Sequence, residues 1–373
     1  MIERSLRTAL EDSLKDKITL LTGPRQVGKT YLSKMIYKKF EYLNFDEITH
    51  RKIISKKMWD KEAKLVIFDE IHKMKNWKRW LKGIYDVDGI PPQLLVTGSA
   101  RMDIYRRGGD SLAGRHHLFR LHPLSVKEID QGNPSETIKQ LMLYGGFPEP
   151  FLKGTKRASD MWRRSHLDVI LREDLFDLEK VRDIKSIEIL IDLLADRVGG
   201  PISYKSLAED LMVSPNTVKH WLQVLENLYV IFIVRPYSKN IAKAIVKEPK
   251  IYFYDTGRIT NGDAAKLENI MAYHLLKRAH FLTDTLGERA DIAYIKDKEK
   301  REIDFVTIRN NRIEYLIEVK TSEANMHPAL FYYHHKLTPE KSYQLVYNFN
   351  KTFEPEKGLK ITSLSNFLSK LET

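Results

Sequence analysis

The chain has no cysteine in its 373 residues. That excludes disulfide scaffolds, thiol catalysis and cysteine-ligated zinc. Nowhere does it hold the roughly 18 consecutive apolar residues of a membrane span. The opening Met1-Ile2-Glu3-Arg4-Ser5 leads into a charged helix and not an apolar signal core. No repeat of fixed period and no low-complexity tract stands out. The expectation is a cytoplasmic protein with no membrane partner. Charge, by contrast, is plentiful: 30% of residues, with 62 Lys and Arg against 50 Asp and Glu, a net +12. Together with 42% hydrophobic residues this rules out wholesale disorder. The length suggests two or three domains at about 100–200 residues each. A net +12 points to a polyanion, whether nucleic acid, nucleotide phosphates or an anionic surface. The excess is uneven: +9 in residues 1–130, 0 in 131–183, +2 in 184–247 and +1 in 248–373.

Residues 1–130 alternate short apolar runs with helical patterns. Ile18–Thr22, Leu65–Phe68 and Leu94–Thr97 have the length and composition of buried parallel strands. Thr30 to Phe40 reads as a helix, with Leu32, Met35 and Ile36 on one face. The alternation predicts an α/β fold with a doubly wound sheet. Gly23-Pro24-Arg25-Gln26-Val27-Gly28-Lys29-Thr30 fits G-x-x-x-x-G-K-[ST] between strand and helix, the context a phosphate loop requires. Glycines let the backbone curl so that its N–H groups face phosphate oxygens, and the helix N-terminus adds partial positive charge. Lys29 is placed to reach the β- and γ-phosphates of ATP, and the Thr30 hydroxyl to ligate Mg²⁺.

The strand Leu65–Phe68 ends in Asp69 and Glu70, at the strand edge where open α/β sheets bind ligands. Asp69 is placed to hold Mg²⁺ through water, and Glu70 to polarise the attacking water. The strand after it ends in Thr97-Gly98-Ser99, and either hydroxyl, Thr97 or Ser99, suits a γ-phosphate sensor. Arg115 precedes another strand, and a guanidinium suits the spread charge of a phosphoryl transition state.

These residues resemble those of a prokaryotic AAA+-type ATPase family with a central winged helix and a C-terminal nuclease-like domain. The carriers are GPRQVGKT at 23–30, LVIFDE at 65–70, LLVTGSA at 94–100 and LAGR at 112–115, extended by GGFPEP at 145–150 and LREDL at 171–175. The resemblance implies ATP binding and hydrolysis, with Arg115 as a finger acting in a neighbouring subunit of a homo-oligomer.

Ser203 to Met212 reads as a helix, broken at Val213-Ser214-Pro215. Val218, Trp221, Leu222, Leu225 and Leu228 then line one face of a second helix. The pair predicts a helix-turn-helix, with Tyr229–Val234 and Ile251–Tyr254 as the wing. Asn216, Thr217, Lys219, His220 and Gln223 lie on the polar face and suit phosphates or base edges. Without arginine there, DNA binding with no sequence preference is expected; the same module also serves protein partners.

From about residue 264 the pattern is helix, strand, hairpin, strand, helix. Asp304, Glu318 and Lys320 stand as D-x(13)-E-x-K on two strands, with Glu318 and Lys320 on one face. Two carboxylates, Asp304 and Glu318, with a lysine can bind Mg²⁺ against a phosphodiester. This is similar to the PD-(D/E)xK nuclease core, and Glu268 matches the upstream acid of that family. Catalysis by this domain is a separate claim from its fold. The pairs His116-His117 and His334-His335, and His327, lack the i,i+4 spacing of metal ligands on a helix.

The expected domains are an AAA+-type P-loop core at 1–130, a helical connector at 131–183, a winged helix at 184–260 and a restriction-endonuclease-like α/β domain at 261–373. The expected function is a Mg²⁺-dependent ATPase associated with DNA. The alternative is an ATP-driven switch of protein assembly with an inactive nuclease-like domain. Lys52, Lys56, Lys57, Lys73, Lys75, Lys78 and Arg79 are cations that ATP does not account for, so the core is expected to supply much of any DNA footprint.

Overall fold

The computed structural model describes residues 2–98, 112–129, 132–175, 183–238, 248–322, 325–349 and 351–372. Two compact units emerge: Met1–Pro123 with Asn227–Tyr229, and Leu124–Glu226 with Val230–Thr373.

The first unit is built on five parallel strands, β1 (Ile18–Thr22), β2 (Phe40–Asn44), β3 (Leu65–Asp69), β4 (Gln93–Thr97) and β5 (His116–Arg120), in the order β2-β3-β4-β1-β5. Parallel strands covered on both faces read as continuous apolar runs. Accordingly β1 and β3 are buried at every position. β4 lies between β1 and β3, so Thr97 is level with Asp69 on one side and Leu21 on the other. The strand ends carrying the phosphate loop, Asp69 and Thr97 therefore share one edge. Trp59, Phe68 and Trp80 pack edge to face at 5.3–5.9 Å within the core.

The helix after the phosphate loop runs only Lys29–Ile36, shorter than the expected Thr30–Phe40. Tyr37 turns extended (φ −133°, ψ 150°), and Phe40 opens β2 instead. The periodicity of Leu32, Met35 and Ile36 holds for two turns only. Beyond it Phe40 and Tyr42 follow the two-residue alternation of a strand.

The second unit contains β6 (Ile231–Pro236), β7 (Lys250–Phe253), β8 (Ala290–Lys296), β9 (Glu302–Arg309), β10 (Arg312–Lys320), β11 (Lys341–Val346), β12 (Phe353–Glu356) and β13 (Leu359–Ser363). They form one sheet, β12-β13-β11-β10-β9-β8-β6-β7. The antiparallel pair β6–β7 follows the helices Tyr204–Leu211 and Pro215–Asn227, and joins the sheet where Arg235 and Pro236 pair with Ala293 and Tyr294. The hairpin that follows the helix pair and the C-terminal strands thus make one continuous hydrogen-bonded surface.

The helix Gly262–Leu286 buries residues around much of its circumference. Buried polar side chains on it find partners within the unit. Asn269 exchanges hydrogen bonds with the backbone N–H (2.7 Å) and carbonyl (2.9 Å) of Phe253. Arg278 forks onto Glu314 at 2.6 and 2.7 Å. In the GGFPEP stretch, Gly145 (φ +76°) lies where a Cβ would come within 2.1 Å of Asp255 Oδ1, and that carboxylate holds Arg163 at 3.0 Å. In LREDL, Leu171 and Leu175 are buried and Ile170–Asp174 forms a π-helical turn. Both motifs therefore have packing roles in this unit.

Candidate functional site

In the first unit the loop from Gly23 to Gly28 is shaped by positive φ angles at Gly23 (+143°), Gln26 (+59°) and Gly28 (+101°). A Cβ on Gly23 would lie 2.3 Å from the carbonyl oxygen of Leu121. Only glycine lets the chain leave β1 this close to the neighbouring strand's exit. Lys29 folds back to donate to the carbonyls of Gly23 (2.9 Å) and Pro24 (2.7 Å), which tethers its ammonium over the loop. Val27 is fully buried, with its carbonyl accepting from Arg4 at 3.0 Å; Pro24, Arg25 and Gln26 complete the turn.

Asp69 is the hub. Its Oδ2 accepts from Thr30 Oγ1 at 3.1 Å and from Tyr42 OH at 2.6 Å, and its Oδ1 from Thr97 Oγ1 at 2.6 Å. Sequence reasoning missed Tyr42, because the expected helix ran to Phe40, the first residue of its strand, and the short stretch beyond was not read as a strand. Burial first, then the bond to Asp69, pushes the Tyr42 phenol well above its ordinary value, so it stays a donor. Thr97 is fully buried with its hydroxyl spent on Asp69. That bond ties the carboxylate to β4. Ser99 lies outside the described residues.

Glu70 follows in the left-handed region (φ +58°), a strained conformation for a side chain of its type. Its N–H donates to the Thr97 carbonyl at 3.0 Å, which ties the acid pair to β4. Burial raises the Glu70 carboxyl above the usual carboxylate range against the pull of Lys73, whose ammonium is 3.4 Å away. A carboxylate so raised is a stronger base than one in water.

Arg115 is not brought to this edge. It precedes β5, whose first residue is level with Ile18, so it sits at the opposite end of the sheet from the loop. There it pairs with Asp86 at 2.6 Å. Of the cations read as unaccounted for, Lys57 lies 3.7 Å from Asp88, Lys73 holds Asp46 at 2.5 Å, and Lys78 rests near the Trp77 ring. Lys52, Lys56, Lys75 and Arg79 are exposed.

In the second unit the helix Pro215–Asn227 buries Val218, Trp221, Leu222 and Leu225 and exposes Asn216, Lys219, His220 and Gln223. Thr217 is committed to the helix cap, its N–H donating to Ser214 Oγ at 3.1 Å and its hydroxyl meeting the same oxygen at 2.9 Å. Gln223 donates to Glu226 at 3.0 Å.

The four acid-cluster residues converge, with additions. Lys320 holds Glu318 at 2.9 Å. Asp304 N–H donates to Glu318 Oε2 at 3.4 Å, and Val319 N–H to Asp304 Oδ2 at 2.9 Å. Asp304 is not exposed on an open face: its side chain is 14% accessible, and that of Glu318 6%. Among them stands Lys250, fully buried, with Nζ 2.7 Å from Glu302, 3.1 Å from Glu268 and 3.6 Å from Asp304. Tyr252 OH adds a bond to Glu268 at 2.6 Å. Burial and the neighbouring Asp304 raise Glu268 to about 7 and Glu318 to about 8. Burial alone would lower Lys250, but Glu268, Asp304 and Glu302 outweigh it and keep the ammonium charged. Lys250 and Glu302 were not read from the sequence. The available signal was a lysine opening the apolar run Ile251-Tyr252-Phe253-Tyr254. No group of three His, Asp or Glu side chains among the described residues has the geometry to hold a metal. The histidines bond locally: His116 Nδ1 with Leu112 O at 2.9 Å, His117 Nδ1 with Ser13 Oγ at 3.0 Å and His334 Nδ1 with Ser342 Oγ at 2.9 Å. His335 pairs with Glu356 at 3.0 Å, and His327 lies 3.7 Å from Glu318. Among the described residues no helix is long and apolar enough to cross a membrane.

Residues 135–262 match the model of a domain of unknown function, DUF8612, and residues 264–367 that of another, DUF4143. An uncharacterised protein of Mycobacterium tuberculosis is 30% identical over 258 residues, which cover 68% of this chain and 56% of that one. The chain thus spans little more than half the length of this relative. An uncharacterised protein of Methanocaldococcus jannaschii is 24% identical over 352 residues, 84% of this chain and 77% of its own. The Holliday junction branch migration motor RuvB of Thermotoga maritima overlaps 66% of this chain and 96% of its own at 18% identity, with a TM-score of 0.31, too low to carry an inference. Residues 15–130 match the model of an AAA domain. That segment, with its phosphate loop and paired acids on one sheet edge, is similar to AAA domains.

Proposed function

We propose that the chain is a Mg²⁺-dependent ATPase that works on DNA, with its ATP state controlling the attached helix-turn-helix and C-terminal α/β segments. The observation that carries the ATPase reading is the 3.1 Å contact between Thr30 and Asp69, made beneath a loop that only glycine can form at Gly23. A hydroxyl and a carboxylate side by side are a hard-oxygen donor pair suited to Mg²⁺. Thr30 and Asp69 would hold the ion, which when bound neutralises phosphate charge. Gly23–Thr30 cradle the phosphates with backbone N–H groups. Lys29 exchanges its loop carbonyls for phosphate oxygens. Thr97 and Tyr42 hold Asp69 in one orientation. Glu70, its basicity raised by burial, takes the proton of the attacking water. Arg115, paired with Asp86 at the far end of the sheet, does not serve this chain's own phosphate site and would act only on that of a neighbouring subunit.

Support for DNA is electrostatic. Residues 1–130 carry +9, and Lys52, Lys56, Lys75 and Arg79 are exposed there. The helix Pro215–Asn227 exposes Asn216, Lys219, His220 and Gln223. The mix favours phosphate contact over base reading. The test measures ATP hydrolysis by the wild type and Lys29→Ala, with and without single-stranded, duplex and branched DNA at low salt. Full activity in Lys29→Ala would remove the ATPase reading. Hydrolysis unaffected by any DNA, with no retarded band, would remove the DNA reading and leave the ATPase intact.

A further inference from the structure

The resemblance to a PD-(D/E)xK core implies a divalent cation between Asp304 and Glu318, with a lysine beside them to help activate water. The residues present do not fit one. Magnesium needs oxygens about 2.0–2.1 Å from itself in octahedral array. Here each carboxylate oxygen already faces a donor, and, unlike at Asp69, the Lys250 and Lys320 ammonium groups supply part of the positive charge a metal would bring. Glu318 Oε1 faces Lys320 and its Oε2 the Asp304 N–H, while Asp304 Oδ2 takes the Val319 N–H. The remaining Asp304 oxygen, Oδ1, faces Lys250 Nζ at 3.6 Å, and the same ammonium reaches Glu302 and Glu268 at 2.7 and 3.1 Å.

We infer that the Lys250 ammonium stands where a divalent cation would, as a built-in counter-ion that closes this acidic cluster to Mg²⁺. Three observations converge. Lys250 is fully buried, a rare state for lysine unless it is paired. Its three acidic neighbours come from two separate elements, Glu268 on the helix Gly262–Leu286 and Glu302 and Asp304 on β9, so the ammonium is the point at which they meet. Finally, Lys250 belongs to β7, in the hairpin that follows the helix-turn-helix. Its neighbour Pro249 also accepts a hydrogen bond from Ile202 N–H at 2.8 Å. The cluster thus rivets that hairpin to the α/β strands. A metal could not enter without displacing the ammonium, and displacing the ammonium would unpin β7. The domain is accordingly a scaffold that does not cleave phosphodiesters by a metal-dependent route. This inference does not depend on the ATPase reading.

The experiment is Mn²⁺ binding followed by electron paramagnetic resonance on the full chain without nucleotide. Asp69→Asn is carried throughout to weaken the phosphate-loop ion site. With Lys250 intact, no Mn²⁺ should be held at the acidic cluster. With Lys250→Met added, one equivalent should appear, raise the melting temperature, and vanish again when Asp304→Asn is added. Two results would overturn the inference: one equivalent of Mn²⁺ in the Lys250-containing protein that Asp304→Asn abolishes, or a folded Lys250→Met protein that gains none. If Lys250→Met does not fold, the first arm still decides. Mg²⁺-dependent cleavage of DNA by the wild type, lost in Asp304→Asn, would also overturn it.

Discussion

The Thr97 hydroxyl donates to Asp69 Oδ1 at 2.6 Å from a fully buried position, so the carboxylate expected to hold Mg²⁺ is itself held by the strand beside it. A residue that orients a ligand without touching the metal typically costs 10–100-fold in affinity or activity when it is lost. Thr97→Val keeps the shape and removes the donor. The expected result is a fall in kcat of roughly 10–100-fold with a higher Mg²⁺ requirement, and recovery in Thr97→Ser. Magnesium titrations of ATP turnover separate this from direct phosphate sensing, which would change ATP affinity or kcat without shifting the Mg²⁺ midpoint.

Glu70 gives a second expectation. Replacing a positioned base typically removes about 10²–10⁴-fold of rate. Glu70→Gln should therefore bind ATP as the wild type does and hydrolyse it about 10²–10⁴-fold more slowly. Because burial raises the Glu70 carboxyl, the rate should fall with decreasing pH at a higher pH than an ordinary glutamate would give. That acid limb should be absent from the residual activity of the Gln variant. The same limb in both proteins would assign the base to another group.

How far the site could be read from sequence follows from how local each part is. The phosphate loop is eight consecutive residues, and Asp69-Glu70 end one apolar run, so local pattern suffices for both. Tyr42 reaches Asp69 only because β2 pairs with β3, and Phe40 and Tyr42 are too short an alternation to separate from the preceding helix. Arg115 was legible as an arginine before a strand, but its end of that strand is set by the parallel pairing with β1. Lys250 was the least legible. The spacing of Asp304, Glu318 and Lys320 lies within one hairpin, whereas Lys250 enters from a strand that precedes all three and joins them only through tertiary pairing. The union of the β6–β7 hairpin with the C-terminal sheet through Arg235 and Pro236 has no sequence signature at all.

Gly23 tests the loop independently of chemistry. Its φ of +143° is costly for any residue with a Cβ, and that atom would meet a backbone carbonyl, Leu121 O, at 2.3 Å. Backbone cannot move aside as a flexible side chain can. Strain at such positions is about 1–3 kcal/mol before the clash is added. Gly23→Ala should lower the melting temperature and abolish the stabilisation that ATP confers on the wild type. Gly83→Ala, where a Cβ meets nothing within 4 Å, is the control and should do neither.

His274 predicts how the second unit responds to acid. It is fully buried, with Nε2 accepting from Val126 N–H at 2.9 Å and Nδ1 facing the Ile270 carbonyl at 2.7 Å. The neutral Nδ1–H form satisfies both partners, whereas a proton on Nε2 would face another N–H. Burial, set against the Ile270 carbonyl, lowers its pKa from 6.5 to about 3. The unfolded chain therefore takes up a proton that the folded one refuses. The associated stability is complete above about pH 6.5 and is lost as pH falls toward 3, with a slope near 1.4 kcal/mol per pH unit. At pH 5 the deficit should be about 2 kcal/mol. His274→Gln preserves an acceptor and cannot charge. Its urea-unfolding stability should fall less steeply than the wild type's between pH 6.5 and 4.5, by about one proton's worth. Identical slopes in the two proteins would show that His274 protonates freely in the folded state.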